Sequence, residues 1–496
     1  MAEEKQYKSI FKSTFLFSFV QVVRILVSVV KNKVVAILLG AEGMGIMGIF
    51  QNTLNFIKTG SGLGISQSAV KDISEANASD DLFKLSHSIS VVRKVVLLTS
   101  FIGFAITVVL APMLSRWGFG DYTYTFSFVF LGVAVFFEVF VENQLAILKG
   151  MRQLRSLAKA SIWGALAGLL TGVPLYFWLG VKGIIPSFVI TAFSIYLVTR
   201  YYVDKISYKK ENISHIQALK ESKPMITMGV ALMLVSLIGT FFDLFIAAYI
   251  RSGGGLSDVG YYQAGITIVT SYIGVIITAM STDYYPRICA INQDNIRLAE
   301  EVNQQSEVGL VMVYPLAILF VFLSPLFIKI LYSQQFLTTI NYTDFAIIGS
   351  VITICSNSMG MILLAKQASK LFLWSVIGQR TVCIIAYLLL YSHLGILGLG
   401  LAYIFMGVLH IVTMSAIMKI NYHIKFKIQV LIQLSLVVAT ILLARYIRGF
   451  DNIYLRYFAG GLVVLGSCFY SYTYMKRNMG IDIIKSLKSR INNKLS

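Results

Sequence analysis

Apolar residues in this chain are not scattered but run on in blocks of about twenty. Clear blocks lie at 90–112, 126–148, 185–203 and 308–331. About twenty helical residues, rising 1.5 Å each, cross a hydrocarbon layer of about 30 Å. The blocks therefore predict transmembrane helices at 10–38, 44–68, 90–113, 124–148, 157–179, 184–203, 224–250, 258–284, 306–332, 342–365, 370–392, 395–418, 427–446 and 454–475. That series is an all-α integral membrane fold of about fourteen spans. A Gly-rich turn around Gly40–Gly45 separates the first two, where glycine lets the chain reverse tightly.

Composition agrees with that pattern: 57% of the 496 residues are hydrophobic and 13% charged, against about a quarter charged in soluble domains. A net charge of +19 raises nucleic acid as a partner, but the cations sit in short segments between apolar blocks, and no Cys/His spacing or nucleic-acid motif accompanies them. Cys289, Cys355, Cys383 and Cys468 are far apart and suit packing rather than a disulfide frame. Lys5, Lys8 and Lys12 precede a long apolar run with no A-x-A-like cleavage site, which predicts a retained first helix. One set of loops holds Lys149, Arg152, Arg155, Lys159, Lys205, Lys209, Lys210, Lys220 and Lys223, together with the tail from Lys476 to Lys494. The positive-inside rule places that side, and both termini, in the cytoplasm.

The chain also repeats itself. Gly48-Ile49-Phe50-Gln51 returns as Gly260-Tyr261-Tyr262-Gln263, and the same offset carries Lys31 to Asp243 and Lys58 to Thr270. Six helices per repeat keep orientation, so the repeats are parallel. The expected domains are a lobe at 1–212, a lobe at 213–424, two additional helices within 425–475, and a basic tail at 476–496.

Ionisable groups in hydrocarbon are costly and normally face a bundle interior or a watery cavity. Gln21, Arg24, Ser28 and Lys31 form one stripe on the first helix; Gln51, Asn55 and Lys58 form another on the second. Arg24, Lys31 and Lys58 thus suggest a cationic wall for an anionic or polyhydroxylated solute, although Lys31 and Lys58 could instead snorkel. In the second repeat the stripe is Ser236, Thr240 and Asp243, with Gln263, Thr267 and Thr270. Asp243 either binds a proton or sodium ion, or pairs with Arg380 of the eleventh helix. Glu138 and Glu142 either answer the cationic wall or balance nearby Lys149, the second being favoured, and His410 reads as a satisfied core histidine rather than a proton relay. No phosphate-binding G-x-x-x-x-G-K-[ST] loop, outside D-x-D pair, catalytic constellation or metal cluster stands out, so neither catalysis nor a cofactor is expected.

With these residues laid out, the stretch from Lys31 to Asn77, KNKVVAILLGAEGMGIMGIFQNTLNFIKTGSGLGISQSAVKDISEAN, resembles the polysaccharide-exporter branch of the multidrug/oligosaccharidyl-lipid/polysaccharide superfamily. The likeness is to Wzx-type O-antigen and lipid III flippases, and the twofold six-helix plan extends it over roughly the first 424 residues. The resemblance implies two lobes around a cavity that opens alternately to each side of a bacterial inner membrane. It implies a cargo of undecaprenyl-diphosphate-linked oligosaccharide, with Arg24, Lys31 and Lys58 in a cationic N-lobe cavity and Asp243 at an ion-coupling position. Membrane lipids and a polysaccharide polymerase are possible partners on the same grounds. The extra helix pair departs from twelve-helix members and looks more like the fourteen-helix lipid II flippases, so the glycan carried stays open. Two other readings remain: a drug/cation antiporter of the same superfamily, and a membrane polysaccharide polymerase, whose long catalytic outside loops are missing.

Overall fold

The computed structural model describes residues 2–79, 81–206, 211 and 213–478, with seventeen α-helices and no strand among them. The side chains of Lys5, Lys8 and Lys12, the loop at Lys209 and Lys210, and the basic tail after Asn478 lie outside the described residues. In chain order the helices are α1 (Ala2–Leu38), α2 (Gly40–Ser61), α3 (Ile65–Ala78), α4 (Leu82–Phe119), α5 (Thr125–Gly150), α6 (Leu154–Leu179), α7 (Ile184–Asp204), α8 (His215–Glu221) and α9 (Lys223–Ile268). There follow α10 (Gly274–Ala290), α11 (Asn295–Phe322), α12 (Ser324–Leu331), α13 (Ile340–Ala365), α14 (Ser369–Leu394), α15 (Ile396–Tyr422), α16 (Ile428–Arg448) and α17 (Ile453–Asn478).

All fourteen expected segments are largely helical, the second and ninth being each divided between two helices. Ten stretches of the described residues are long and apolar enough to cross a membrane; of these Leu154–Asp204 covers two expected segments, and Lys223–Ser271 covers 224–250 and the first half of 258–284. The chain is a multi-pass membrane protein. The segments left over lie on α1 and α2, the pair that carries the polar stripes.

Helix ends depart from the hydropathy pattern where backbone chemistry decides them. The second segment, expected to run to 68, stops at Ser61; Leu63 and Gly64 turn left-handed (φ +48° and +62°), and an amphipathic α3 begins. Helix α4 outruns its expected 90–113 at both ends. Asp81 caps its start by accepting from the N–H groups of Phe83 (2.9 Å) and Lys84 (3.2 Å). At its far end α4 continues past Pro112 to Gly120, and Arg251 donates to the carbonyls of Gly118 and Trp117 at 3.2 Å. A cation there satisfies carbonyls that the helix leaves bare and complements its dipole. Gly255, at φ +78°, breaks α9 where a short outside loop was expected.

Contacts divide the chain into two compact units, one reaching Gly260 and including Leu331–Ser333, the other holding Tyr261–Ile330 and the chain from Gln334 onward. In the first unit α4 packs along α5, α6 along α7, and α1 along α6. Gly164, Gly168 and Gly172 present a bare stripe of α6 to Thr191 and Ile195 of α7, a small-residue packing that lets helix backbones approach in lipid. Closer still, a Cβ at Gly45 would lie 1.9 Å from the Leu256 carbonyl, and one at Gly260 1.9 Å from that of Ala41. In the second unit α13 runs through the middle, packed on α15 and α11, while α16 and α17 pack on α11. All four cysteines are free.

Candidate functional site

Within the first unit, the two polar stripes differ in how their charges are met. On α1, Arg24 is exposed, and Lys31 is half-buried with its Nζ 5.6 Å from the centre of the Phe188 ring. Among the described residues of this unit, no carboxylate pairs with either cation. On α2, Gln51 donates from Nε2 to Asn55 Oδ1 at 3.2 Å, the i,i+4 contact that the stripe predicts. Buried Asn52 donates to the carbonyl of Asp243 at 3.4 Å, tying α2 to α9.

Lys58 does not stand in an acid-free wall. Its Nζ lies 3.0 Å from Glu142 Oε1 and 3.5 Å from Glu138 Oε2, and only 18% of its side chain is exposed. The two glutamates of α5 therefore answer Lys58 rather than balancing Lys149. The reason is register: α2 and α5 pack together, and the i,i+4 spacing of the acids puts both on the face that meets Lys58. The cationic wall of the sequence reduces to Arg24 and Lys31, beside a cluster of two carboxylates and one ammonium. Asp243 is exposed on α9, and Thr240 one turn earlier turns its hydroxyl back to the carbonyls of Ser236 and Leu237.

The second unit holds a cavity of about 380 Å³ whose mixed lining includes Thr270, Asn357, Gln379, Arg380, Tyr403 and His410 beside Val376 and Met406. Arg380 points Nη1 toward Met406 Sδ at 3.7 Å, and His410 Nδ1 meets Ser356 Oγ at 2.5 Å. His410 thus has the partner expected of a core histidine. The amide nitrogen of Gln379 is buried with no hydrogen-bond partner.

Sequence reasoning passed over the strongest charge cluster of the second unit. Asp344, on α13, is fully buried. It accepts from Arg448 Nη2 at 2.6 Å and Nη1 at 3.1 Å, and from Arg445 Nε at 3.2 Å. Arg448 also donates to the Val321 carbonyl at 2.7 Å and to Ser324. The signal was present: a lone acid inside an apolar block, with two arginines on a later helix.

Solved structures share this architecture. A lipid II flippase MurJ in an inward closed conformation aligns with 95% of this chain and all of its own at TM-score 0.66 and 14% identity. An inward-facing multidrug resistance MATE transporter of the MOP superfamily aligns with 81% of this chain and 96% of its own, at 0.63 and 15%. A MOP superfamily transporter from Pyrococcus furiosus, titled for the reverse polarity of its binding pocket, aligns with 87% and 96%, at 0.54 and 15%. At such identities the likeness speaks for the fold, which is that of the MOP transporters. No curated protein sequence matches the chain. Residues 34–341, well over half of the chain, match the polysaccharide biosynthesis protein family, and the protein belongs to that family.

Proposed function

We propose that the protein is a flippase for lipid-linked glycan. It carries an undecaprenyl-diphosphate-linked oligosaccharide, of the O-antigen or a related surface repeat unit, from the cytoplasmic to the periplasmic leaflet of a bacterial inner membrane. Its termini are cytoplasmic, residues 1–212 and 213–424 act as alternating-access lobes with 425–475 appended, and it performs no chemistry on the cargo. The observation that carries the reading is Arg24 with Lys31, two cations on one helix stripe with no carboxylate partner in their unit, in a polysaccharide-family chain. A diphosphate needs such donors, and arginine offers a bidentate fork. Gln51 and Asn55, already bonded to each other, supply amides suited to sugar hydroxyls.

Replacing Arg24 by Ala should lower surface glycan export roughly ten- to a hundredfold, the worth of one charge-assisted hydrogen bond at about 1.5–3 kcal/mol, with membrane insertion and thermal stability unchanged. Arg24→Lys should restore export in part. Normal export in Arg24→Ala cells sinks the assignment. One observation favours a second reading, a drug/cation antiporter: Lys58 is outnumbered by Glu138 and Glu142. Cells lacking the protein would then become sensitive to cationic drugs while keeping their surface glycan.

A further inference from the structure

Helix α4 has 38 residues, about 57 Å at 1.5 Å each, whereas a hydrocarbon layer takes about 30 Å. Its first turns, before the apolar block at 90–112, stand outside the hydrocarbon, and they carry His87. That one side chain ties α4 to α8, which lies between α7 and α9.

His87 is bonded at both ring nitrogens. Nδ1 lies 2.7 Å from Glu211 Oε2, and Nε2 lies 2.7 Å from Glu221 Oε2. Local structure aims each partner. Ser90, one turn along α4, accepts from the N–H of Glu211 at 3.3 Å. Ser214 caps α8 by accepting from the N–H of Gln217 at 3.1 Å. Gln217 Nε2 in turn donates to Glu221 Oε1 at 2.9 Å, an i,i+4 contact. Phe83 stacks on the imidazole face, with ring centres 6.1 Å apart, and leaves the ring edge to the carboxylates.

This geometry requires a proton. A neutral imidazole has one N–H and one lone pair, so it can donate to only one of two ionised carboxylates. The imidazolium donates to both, and 2.7 Å is the length of a charge-assisted bond. The hydrogen bond to Glu211 raises His87 above the ordinary histidine range; partial burial opposes this, and Glu221 adds to the rise. Gln217, and then His87, hold Glu221 below the usual carboxylate range. Among the described residues Glu211 and Glu221 are the charged groups acting on His87, while Lys84 lies 3.9 Å from Asp81. The His87 side chain is 31% exposed, so water can bring and remove its proton. A raised folded-state value fixes the sign. The bonds contribute fully below the ordinary histidine value of about 6.5 and fade as pH climbs through the raised one.

We propose that His87 is a proton-operated clamp: as the imidazolium it fastens Glu211 and α8 to α4, and on losing its proton it releases α8. Its place in transport rests on the flippase reading, in which this segment joins the lobes 1–212 and 213–424. A more acidic cytoplasm then holds that junction tighter.

The test uses the full-length protein in detergent and needs no cargo. NMR of protein labelled in its histidines follows protonation, with His87→Gln identifying the His87 signal. Amide hydrogen exchange, corrected for the intrinsic effect of pH, follows residues 213–221. Between about pH 6 and about pH 8.5, either side of the ordinary histidine value, their protection should fall roughly tenfold, the worth of one charge-assisted hydrogen bond. In His87→Gln, whose amide does not titrate, protection should be equally low at both. The His87 midpoint should lie above the ordinary value, fall in Glu221→Gln, and fall further when Glu211→Gln is added. Thermal melting of each variant checks that it is folded. A midpoint at or below the ordinary value overturns the proposal, as does protection that ignores pH in the wild type. An equal pH response in His87→Gln also overturns it, in favour of another group such as His215 at the start of α8. A protein that exports no glycan gives the same readings, so failure of the flippase reading and failure of the clamp are told apart.

Discussion

Two charge clusters, one in each unit, are built from the same number of groups with opposite sign. In the first unit one ammonium, Lys58, meets two carboxylates, Glu138 and Glu142, and all three remain partly exposed. In the second, one carboxylate, Asp344, meets two guanidinium groups, Arg445 and Arg448, and Asp344 has no exposure at all. The difference in burial sets what each cluster can do. A fully desolvated carboxylate needs its partners at all times, because an unpaired charge there is strongly unfavourable. A half-wet cluster can exchange one ion for water or for a cargo group at small cost. The inner cluster thus fastens α16 to α13, so the helix pair that looks appended in sequence is bound to the unit's central helix. The wetter cluster is the one that can respond to a ligand.

Asp344 gives the largest expected effect. Asp344→Ala leaves Arg448 facing a cavity with no anion, and removing one partner of a buried pair costs about 3–5 kcal/mol. The variant should melt far below the wild type in detergent or fail to accumulate. Asp344→Leu combined with Arg448→Met should recover most of that loss, because apolar groups of similar volume often replace a buried pair without penalty. A wild-type melting curve for Asp344→Ala would erase the contrast between the clusters.

How much of this was legible in the sequence follows from range. The helices were, because a span must be apolar for about twenty residues and the chain states that locally. Helix ends were less so: Gly64, Asp81 and Gly120 set them through backbone angles and caps that hydropathy does not weigh. Of the two charge partners open for Glu138 and Glu142, the sequence favoured the wrong one. Lys149 is seven residues from Glu142 along the same helix, while Lys58 is distant in sequence and becomes its neighbour only once α2 lies against α5. Asp344 needed no structure to be noticed as an acid in an apolar block, but its arginine partners depend on how α16 packs. Of the close approaches, Gly45 belongs to the stretch Gly40–Gly45 read at first as a turn and Gly260 to the internal repeat; within that stretch Gly40, at φ +65°, serves the turn itself.

Lys58 sharpens the comparison at intermediate size. Lys58→Met should cost about 1 kcal/mol, from the lost pair and from two carboxylates left facing each other at i,i+4 spacing. Adding Glu138→Gln and Glu142→Gln removes the repulsion and should return stability to the wild-type level. Export then separates two roles. If Lys58 holds only the glutamates, the triple variant exports normally; if it also meets the cargo diphosphate, as the sequence suggests, export stays at least tenfold down. Surface glycan measured beside thermal melting distinguishes them.

The smallest expected effect on stability belongs to Asp243, which is exposed where Asp344 is buried. Its side chain is exposed in the first unit, and Arg380 lines the cavity of the second. We propose that Asp243 is the ion-coupling acid: binding a proton or sodium ion neutralises a carboxylate that would otherwise resist passage through hydrocarbon. Occupancy then biases inward against outward states through its different affinity for the two. For an exposed side chain, Asp243→Asn should change stability by no more than about 0.5 kcal/mol. Flipping in proteoliposomes should nonetheless stop responding to an imposed ion gradient. A structural tie to Arg380 gives the opposite pattern: each single change lowers the melting temperature, and Asp243→Asn with Arg380→Gln restores both stability and gradient response. Full recovery in that double variant refutes coupling through Asp243, because no carboxylate would remain there to carry the ion.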